Sequence, residues 1–233
     1  MNAGLRTLFT FAILLLGAAL RAAEPAAESS EQVIRQRFLV AYQTAEQPER
    51  KAETVDMLRG LKEKESQRLL AGMLGDRLDG VRLRACAAIA ATPDPEGYFV
   101  KPLMGALADP LPEVRVAAAE ALASASVKAD AIKALTFGLM SVVGQLSSED
   151  IKHEIAVVSA YDKALEKLTG DHSPERGPRG LSTHWMDYWK KHEADLRTAE
   201  SKLKDQDEPV RPEGLPKDSF DKKDDAKKNK GAN

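Results

Sequence analysis

Cysteine is almost absent. Cys86 stands alone among 233 residues, so no internal disulfide braces the fold and thiol chemistry has one position to come from. Aromatic residues are scarce, at 5%. The β-branched and aromatic residues never alternate with period two, which argues against a strand-built core and for Ala/Leu-rich helices. An excess of either charge is also missing: 34 Lys and Arg face 36 Asp and Glu, for a net −2. No overall field therefore marks the chain as a nucleic-acid binder.

Catalytic signatures are missing too. There is no Gly-x-Ser-x-Gly elbow for a serine nucleophile. No Walker loop and no Gly-x-Gly-x-x-G step is present to hold phosphates. A zinc-protease helix needs His-Glu-x-x-His, so that two imidazoles one turn apart share the metal. His153-Glu154 is followed at that place by Val157, and His192-Glu193 by Leu196. His184 and His192 flank Tyr188 but stand two turns apart, too far to share one ion, and solvent-facing histidines are expected. Cysteine catalysis needs an exposed thiol beside a base, whereas helical spacing places Cys86 among alanines. The expectation is a chain with no catalytic, cofactor-binding or metal site.

What is present begins with residues 1–23, MNAGLRTLFTFAILLLGAALRAA. Arg6 and the α-amino group supply a positive start, Leu8 to Leu16 an apolar run, and Gly17, Ala18, Ala19, Ala22 and Ala23 small residues for cleavage. This is the pattern of a secretory signal. Cutting after Ala19 or after Ala23 both fit, because Arg21 interrupts the site. The run is shorter than the ~20 residues of a spanning helix, so an uncleaved anchor is the less favoured reading. No Cys follows it to take a lipid.

The middle of the chain repeats. Residues 74–92, LGDRLDGVRLRACAAIAAT, slide by 33 onto 107–125, LADPLPEVRVAAAEALASA. Leu74, Asp76, Leu78, Val81 and Arg82 then fall on Leu107, Asp109, Leu111, Val114 and Arg115, and Cys86 falls on Ala119. A period in the thirties marks a helical solenoid. Asp76 and Asp109 suit the turn into a helix, where a carboxylate accepts from exposed N–H groups. Pro112 suits the first helical turn. Val114, Ala118, Ala121, Leu122 and Ala125 form one apolar stripe, and its alanines let neighbouring helices approach closely.

Both stretches resemble HEAT repeats, whose inter-helix turn and second helix follow a pattern close to L-x-D-x-x-x-x-V-R-x-x-A-x-x-A-L. The resemblance implies an all-α fold, a short α-solenoid of HEAT-like helix hairpins. It also implies a polar ladder between repeats, carried by Asp76, Arg82, Asp109 and Arg115. First helices are expected over 64–74, 98–108 and 129–146, forming the concave side, with second helices over 81–91 and 112–125. Upstream, 31–45 and 48–62 read as a degenerate N-terminal hairpin. Downstream, 147–170 pairs with 129–146, with Ser147 or Ser148 as N-cap, Glu149 and Asp150 in its first turn, and Gly170 as its stop. No Asp matches Asp109 there and Lys152 replaces Arg, so the ladder is expected to end.

A Pro/Gly-rich loop, 171–182, leads to THWMDYWKKHEADLRTAESKL. The Leu-Thr-Gly-Asp step, the loop and the Trp-x-x-x-Trp helix resemble the C-terminal segment of exported bacterial HEAT-repeat proteins. Trp185 and Trp189 would cover the open face of the last repeat, since terminal repeats need such caps. The chain thus divides into a signal peptide (1–23), HEAT-like repeats (31–170), a loop and Trp-containing capping helix (171–203), and a Lys/Asp-rich tail (204–233). That tail is too poor in apolar residues to offset ordering entropy and is expected to be disordered.

These features point to a non-enzymatic protein–protein interaction scaffold or adaptor of the bacterial periplasm or cell envelope. It would dock a protein or peptide on its concave helical face, and touch a membrane only through the signal segment before cleavage. The sequence assigns no oligomeric state. HEAT-like folds also serve DNA glycosylases for alkylated bases and bilin lyases, but those work in the cytoplasm, against the reading of 1–23. Two rivals remain. One is an envelope enzyme, or an accessory subunit of one, using His172 and His184 around the loop 171–182. The other is a cell-wall polymer binder using Trp185, Trp189 and the lysine-rich tail.

Overall fold

The computed structural model describes residues 29–94, 96–145, 151–175 and 177–200. The signal segment 1–23, the tail 204–233 and the expected caps Ser147, Ser148, Glu149 and Asp150 lie outside the described residues. Among those described, nine α-helices occur and no strand. None of the helices is long and apolar enough to cross a membrane.

The helix starts follow from local chemistry. α1 (Ser30–Thr44) begins after Ser29, whose hydroxyl accepts from the Gln32 N–H at 3.0 Å. α2 (Pro48–Thr54) and α6 (Pro112–Leu122) begin on prolines, which lose nothing where first-turn N–H groups have no intrahelical partner. α3 (Lys64–Gly72) is seated by Glu31 of α1. That carboxylate accepts from the Lys62 and Glu63 N–H groups and the Ser66 hydroxyl at 2.9 to 3.1 Å. α4 (Asp79–Ala90), α5 (Val100–Ala106), α7 (Lys128–Gln145), α8 (Ile151–Thr169) and α9 (Pro178–Glu200) complete the set.

Two helices are shorter than their periodicity suggests. The expected helix over 48–62 ends at Thr54, tightens into a 3-10 turn over Val55–Leu58, and reverses at Gly60, where φ is +75°. The Thr54 hydroxyl donates to the Lys51 carbonyl at 2.7 Å, and the tight turn sinks both Val55 and Leu58 into the core. The expected helix over 98–108 begins at Val100. Asp94 holds the Tyr98 and Phe99 N–H groups at 2.7 and 2.8 Å, which keeps that stretch in a turn. Gly170, with φ at +75°, ends α8 as expected.

The helices stack as a short helical solenoid of hairpins: α1 with α2, α3 with α4, α5 with α6, α7 with α8. Second helices pack directly on one another along the series α2, α4, α6, α8. First helices are looser, and α3 reaches α5 chiefly through its terminal 3-10 turn, Met73–Gly75. One continuous core links the repeats, with Leu70, Val81, Ala118, Leu122 and Leu135 among its buried members. Small residues set the spacing. Ala85, Ala88, Ala118 and Ala119 are all fully buried, and alanine there costs no helix propensity. Between α7 and α8 the same close approach uses a glycine: a Cβ on Gly138 would meet the Tyr161 ring at 2.8 Å.

α9 lies across the end of the stack, mainly against α7. Trp185 and Trp189 are both buried. The Trp185 indole N–H donates to Asp162 Oδ1 of α8 at 2.7 Å, so the helix is tied to both members of the last hairpin. The buried rings leave no face for stacking on a sugar. This removes the wall-polymer reading as far as it rested on Trp185 and Trp189.

Candidate functional site

The four polar residues expected between repeats are brought into one chain of contacts, with the partners rearranged. Arg82 does not pair with the carboxylate of Asp76. Its Nη1 donates instead to the Asp76 carbonyl at 3.0 Å and to the Arg77 carbonyl at 3.2 Å. The guanidinium then spans to the next repeat, with Nε and Nη2 on the two Asp109 oxygens at 2.7 and 2.8 Å. This bidentate geometry is what a planar guanidinium favours. Nη2 also reaches Asp79 at 2.6 Å. Burial opposes the charge of Arg82, but the contacts to Asp109 and Asp79 outweigh it and its pKa is raised. Each aspartate also braces the turn before its helix: Asp76 Oδ1 accepts from Leu78 N–H at 2.8 Å, and Asp109 Oδ1 from Leu111 N–H at 3.0 Å.

Both ends of this chain are closed by residues that the repeat pattern does not mark. Asp76 Oδ2 accepts from the Tyr42 hydroxyl of α1. Arg115 repeats the step of Arg82, donating to the Asp109 carbonyl at 2.9 Å, and then meets both oxygens of Glu154 at 2.5 and 2.6 Å. The contacts therefore do not end at Arg115. A carboxylate on α8 takes the place of the missing aspartate. Glu154 stands 39 residues after Arg115, whereas Asp109 stands 27 after Arg82, so sliding the sequence does not find it. A nearby hydroxyl adds a further tie, from Tyr161 to the Leu107 carbonyl at 2.8 Å. Arg82 and Asp109 are buried and mutually satisfied, an arrangement that joins repeats and offers no open valence to a ligand.

Cys86 is fully buried beside Asp109 and Val114, its Sγ 4.0 Å from the Val114 carbonyl. Burial, and then the Asp109 charge, pushes its thiol up to about 12, so thiolate is negligible at neutral pH. No group of three His, Cys, Asp or Glu suited to a metal ion occurs among the described residues. The His153 side chain lies outside them. His192 lies 4.5 Å, ring to ring, from Tyr188. His184 is half-buried against Trp185 rather than solvent-facing. His172 is exposed beside Glu166.

Two surface features stand outside this interior. A groove of about 430 Å³ opens where α4 and α6 end beside α5, with apolar walls from Ile89, Phe99, Leu103 and Ala121. Its Asp94 is occupied by the backbone amides of the turn. The second feature is a row across the outer side of the second helices. Leu83 and Val116 occupy equivalent places, 33 residues apart. The buried run Ala118, Ala119, Leu122 matches Val157, Val158, Tyr161, which puts Ile155 in the third such place. Leu83 is 37% and Ile155 53% exposed, and Ala87, Ala117 and Ala156 lie beside the row without projecting far.

The HEAT repeats family model matches residues 66–140, from the first turn of α3 into α7. No curated protein and no solved structure matches the chain. A period visible when the sequence slides on itself, realised as stacked hairpins and matched over that same stretch, makes this a HEAT-repeat domain-containing protein, a fold of the protein-interaction scaffold kind.

Proposed function

We propose that the chain is a non-enzymatic interaction module of the bacterial cell envelope, docking a protein or peptide along its second-helix layer. The observation that carries the reading is the apolar row Leu83, Val116 and Ile155 at equivalent places on three successive second helices, with Leu83 and Ile155 exposed and Val116 partly buried between them. Single exposed apolar residues are ordinary on a protein surface, but an aligned set is the mark of a contact face. Neighbouring repeats pack more closely through the second-helix layer than through the first, which supports docking on a rigid face there. This differs from the sequence expectation, which put the docking side on 64–74, 98–108 and 129–146. The envelope address rests on residues 1–23, read as a signal peptide.

A second surface is favoured by Phe137 and Met140 of α7, which are 48% and 38% exposed on the first-helix layer. Charge insertion separates the two. Envelope extract is passed over the mature protein, over L83E/V116E/I155E, and over F137E/M140E. Loss of a specific partner from the first variant alone is the expected result. Loss from the second alone moves the site to α7, and no enriched partner on any of the three overturns the scaffold reading. Fractionation of cells expressing the full chain tests the address, with a shortened product outside the cytoplasm expected. The rival hydrolytic reading predicts an activity lost in H172N/H184N.

A further inference from the structure

The junction of α8 with α9 gathers ionisable side chains from three segments. On α8, Asp162 holds the Trp185 indole, and one turn on Glu166 Oε1 lies 3.0 Å from His172 Nδ1. In the connecting loop, Asp171 Oδ2 lies 3.7 Å from His184 Nε2 of α9. The His184 ring stands edge-on to Trp185, centroids 4.8 Å apart, and its Nε2 is buried without a hydrogen bond. Tyr188 follows one turn later against Trp185. Glu175 closes the loop by lying over Gly180. Among the described neighbouring cations, Lys167 reaches Ser124 just after α6, Lys133 of α7 lies over the Trp189 ring, and Lys163 and Arg179 are exposed. Three carboxylates thus face two imidazoles across the only covalent link between last repeat and cap.

We propose that His172 and His184 form an acid-tightened clasp that fastens the capping helix to the last repeat. With His172 protonated, it grips Glu166, while His184 sets its buried Nε2 toward Asp171, and the loop and the first turns of α9 are pinned onto α8. With His172 neutral its charge attraction is gone, the three carboxylates repel, and α9 opens more readily. The sign follows from geometry and linkage. The hydrogen bond to Glu166, then its charge, raises the His172 pKa above its ordinary 6.5. The contribution is therefore complete below that ordinary value and fades as pH rises through the raised one. Asp162 is raised as well, by burial first, and its titration carries the same sign.

Hydrogen exchange on the full chain reads the clasp directly. After correction for intrinsic exchange, opening of residues 178–192 should increase a few-fold from about pH 5.5 to about pH 8 while α4 stays unchanged. H172Q/H184Q should open freely at both values. H172K/H184K, with permanent cations, should stay protected at both. A flat or inverted wild-type profile overturns the proposal. So does a wild-type profile retained in the glutamine pair, or pH-dependent opening retained in the lysine pair.

Discussion

The interior hairpins and the last one solve the same problem with different materials. Between α4 and α6 the seam is lined by small side chains, Ala85, Ala88, Ala118 and Ala119, and crossed by a pair whose side chains are only 1% and 4% exposed, Arg82 and Asp109. At the other end the seam is filled by bulk, with Tyr161, Trp185 and Trp189 buried together and Gly138 making room. Its ion pair, Arg115 with Glu154, is 13% and 23% exposed. Interior repeats have a neighbour on each side and can stand close on alanine. The terminal one has an open flank, and aromatic area must cover it.

Breaking the interior pair should produce the largest effect. Asp109→Ala leaves Arg82 buried with only Asp79 and two carbonyls, and removes the bond to Leu111 N–H that braces the turn before α6. Loss of one partner of a buried pair costs about 3–5 kcal/mol, read as a lowered urea midpoint. The double change R82M/D109L should recover much of that loss, because apolar replacements of a buried pair are often nearly neutral. Failure of D109A to destabilise more than any change at Arg115 or Glu154 would erase the distinction between the two regions.

The cap comes next. Trp185→Ala removes a fully buried indole and strands Asp162, and large-to-small changes of this kind cost about 3–5 kcal/mol. The loss should concentrate in α7, α8 and α9, so hydrogen exchange will show α4 little changed. Trp185→Phe keeps most of the area and drops the bond to Asp162, for about 1 kcal/mol. Gly138→Ala tests the close approach. Its Cβ would sit 2.8 Å from the Tyr161 ring, and overpacking costs about 1–3 kcal/mol. The matching interior change, at Gly105, meets nothing within 4 Å and should stabilise slightly through helix propensity.

How much of this was legible in the chain follows the same division. α4 and α6 share one register, so a single shift aligned Val81, Arg82 and Ala85 with their counterparts and displayed the solenoid. Glu154 was hidden because its hairpin has longer helices, which lengthens the step to 39. Tyr42 lies in a hairpin whose second helix breaks at Thr54, so no repeat pattern pointed to it. Capping of the last repeat was readable from Trp185 and Trp189 because four-residue spacing puts both rings on one face. Asp162 was not, since its link to Trp185 is a contact across helices rather than a period along one. Which layer is the more crowded depends on interhelix distance, and no residue count along the chain carries that information.

The smallest expected effect sharpens the comparison most. Arg115 and Glu154 are partly exposed, so solvent screens their attraction, and Glu154→Ala should cost no more than about 1 kcal/mol. Exposure also makes this pair sensitive to salt, whereas the Arg82–Asp109 pair is shielded from it. Raising salt from about 0.05 M to about 0.5 M should therefore shrink the E154A effect and leave the D109A effect nearly unchanged. The swap R115E/E154R should restore the side-chain attraction but not the Arg115 bond to the Asp109 carbonyl, so recovery will be partial. Equal salt sensitivity at the two positions would mean that both rungs are equally open to water, and burial would no longer distinguish the middle of the array from its end.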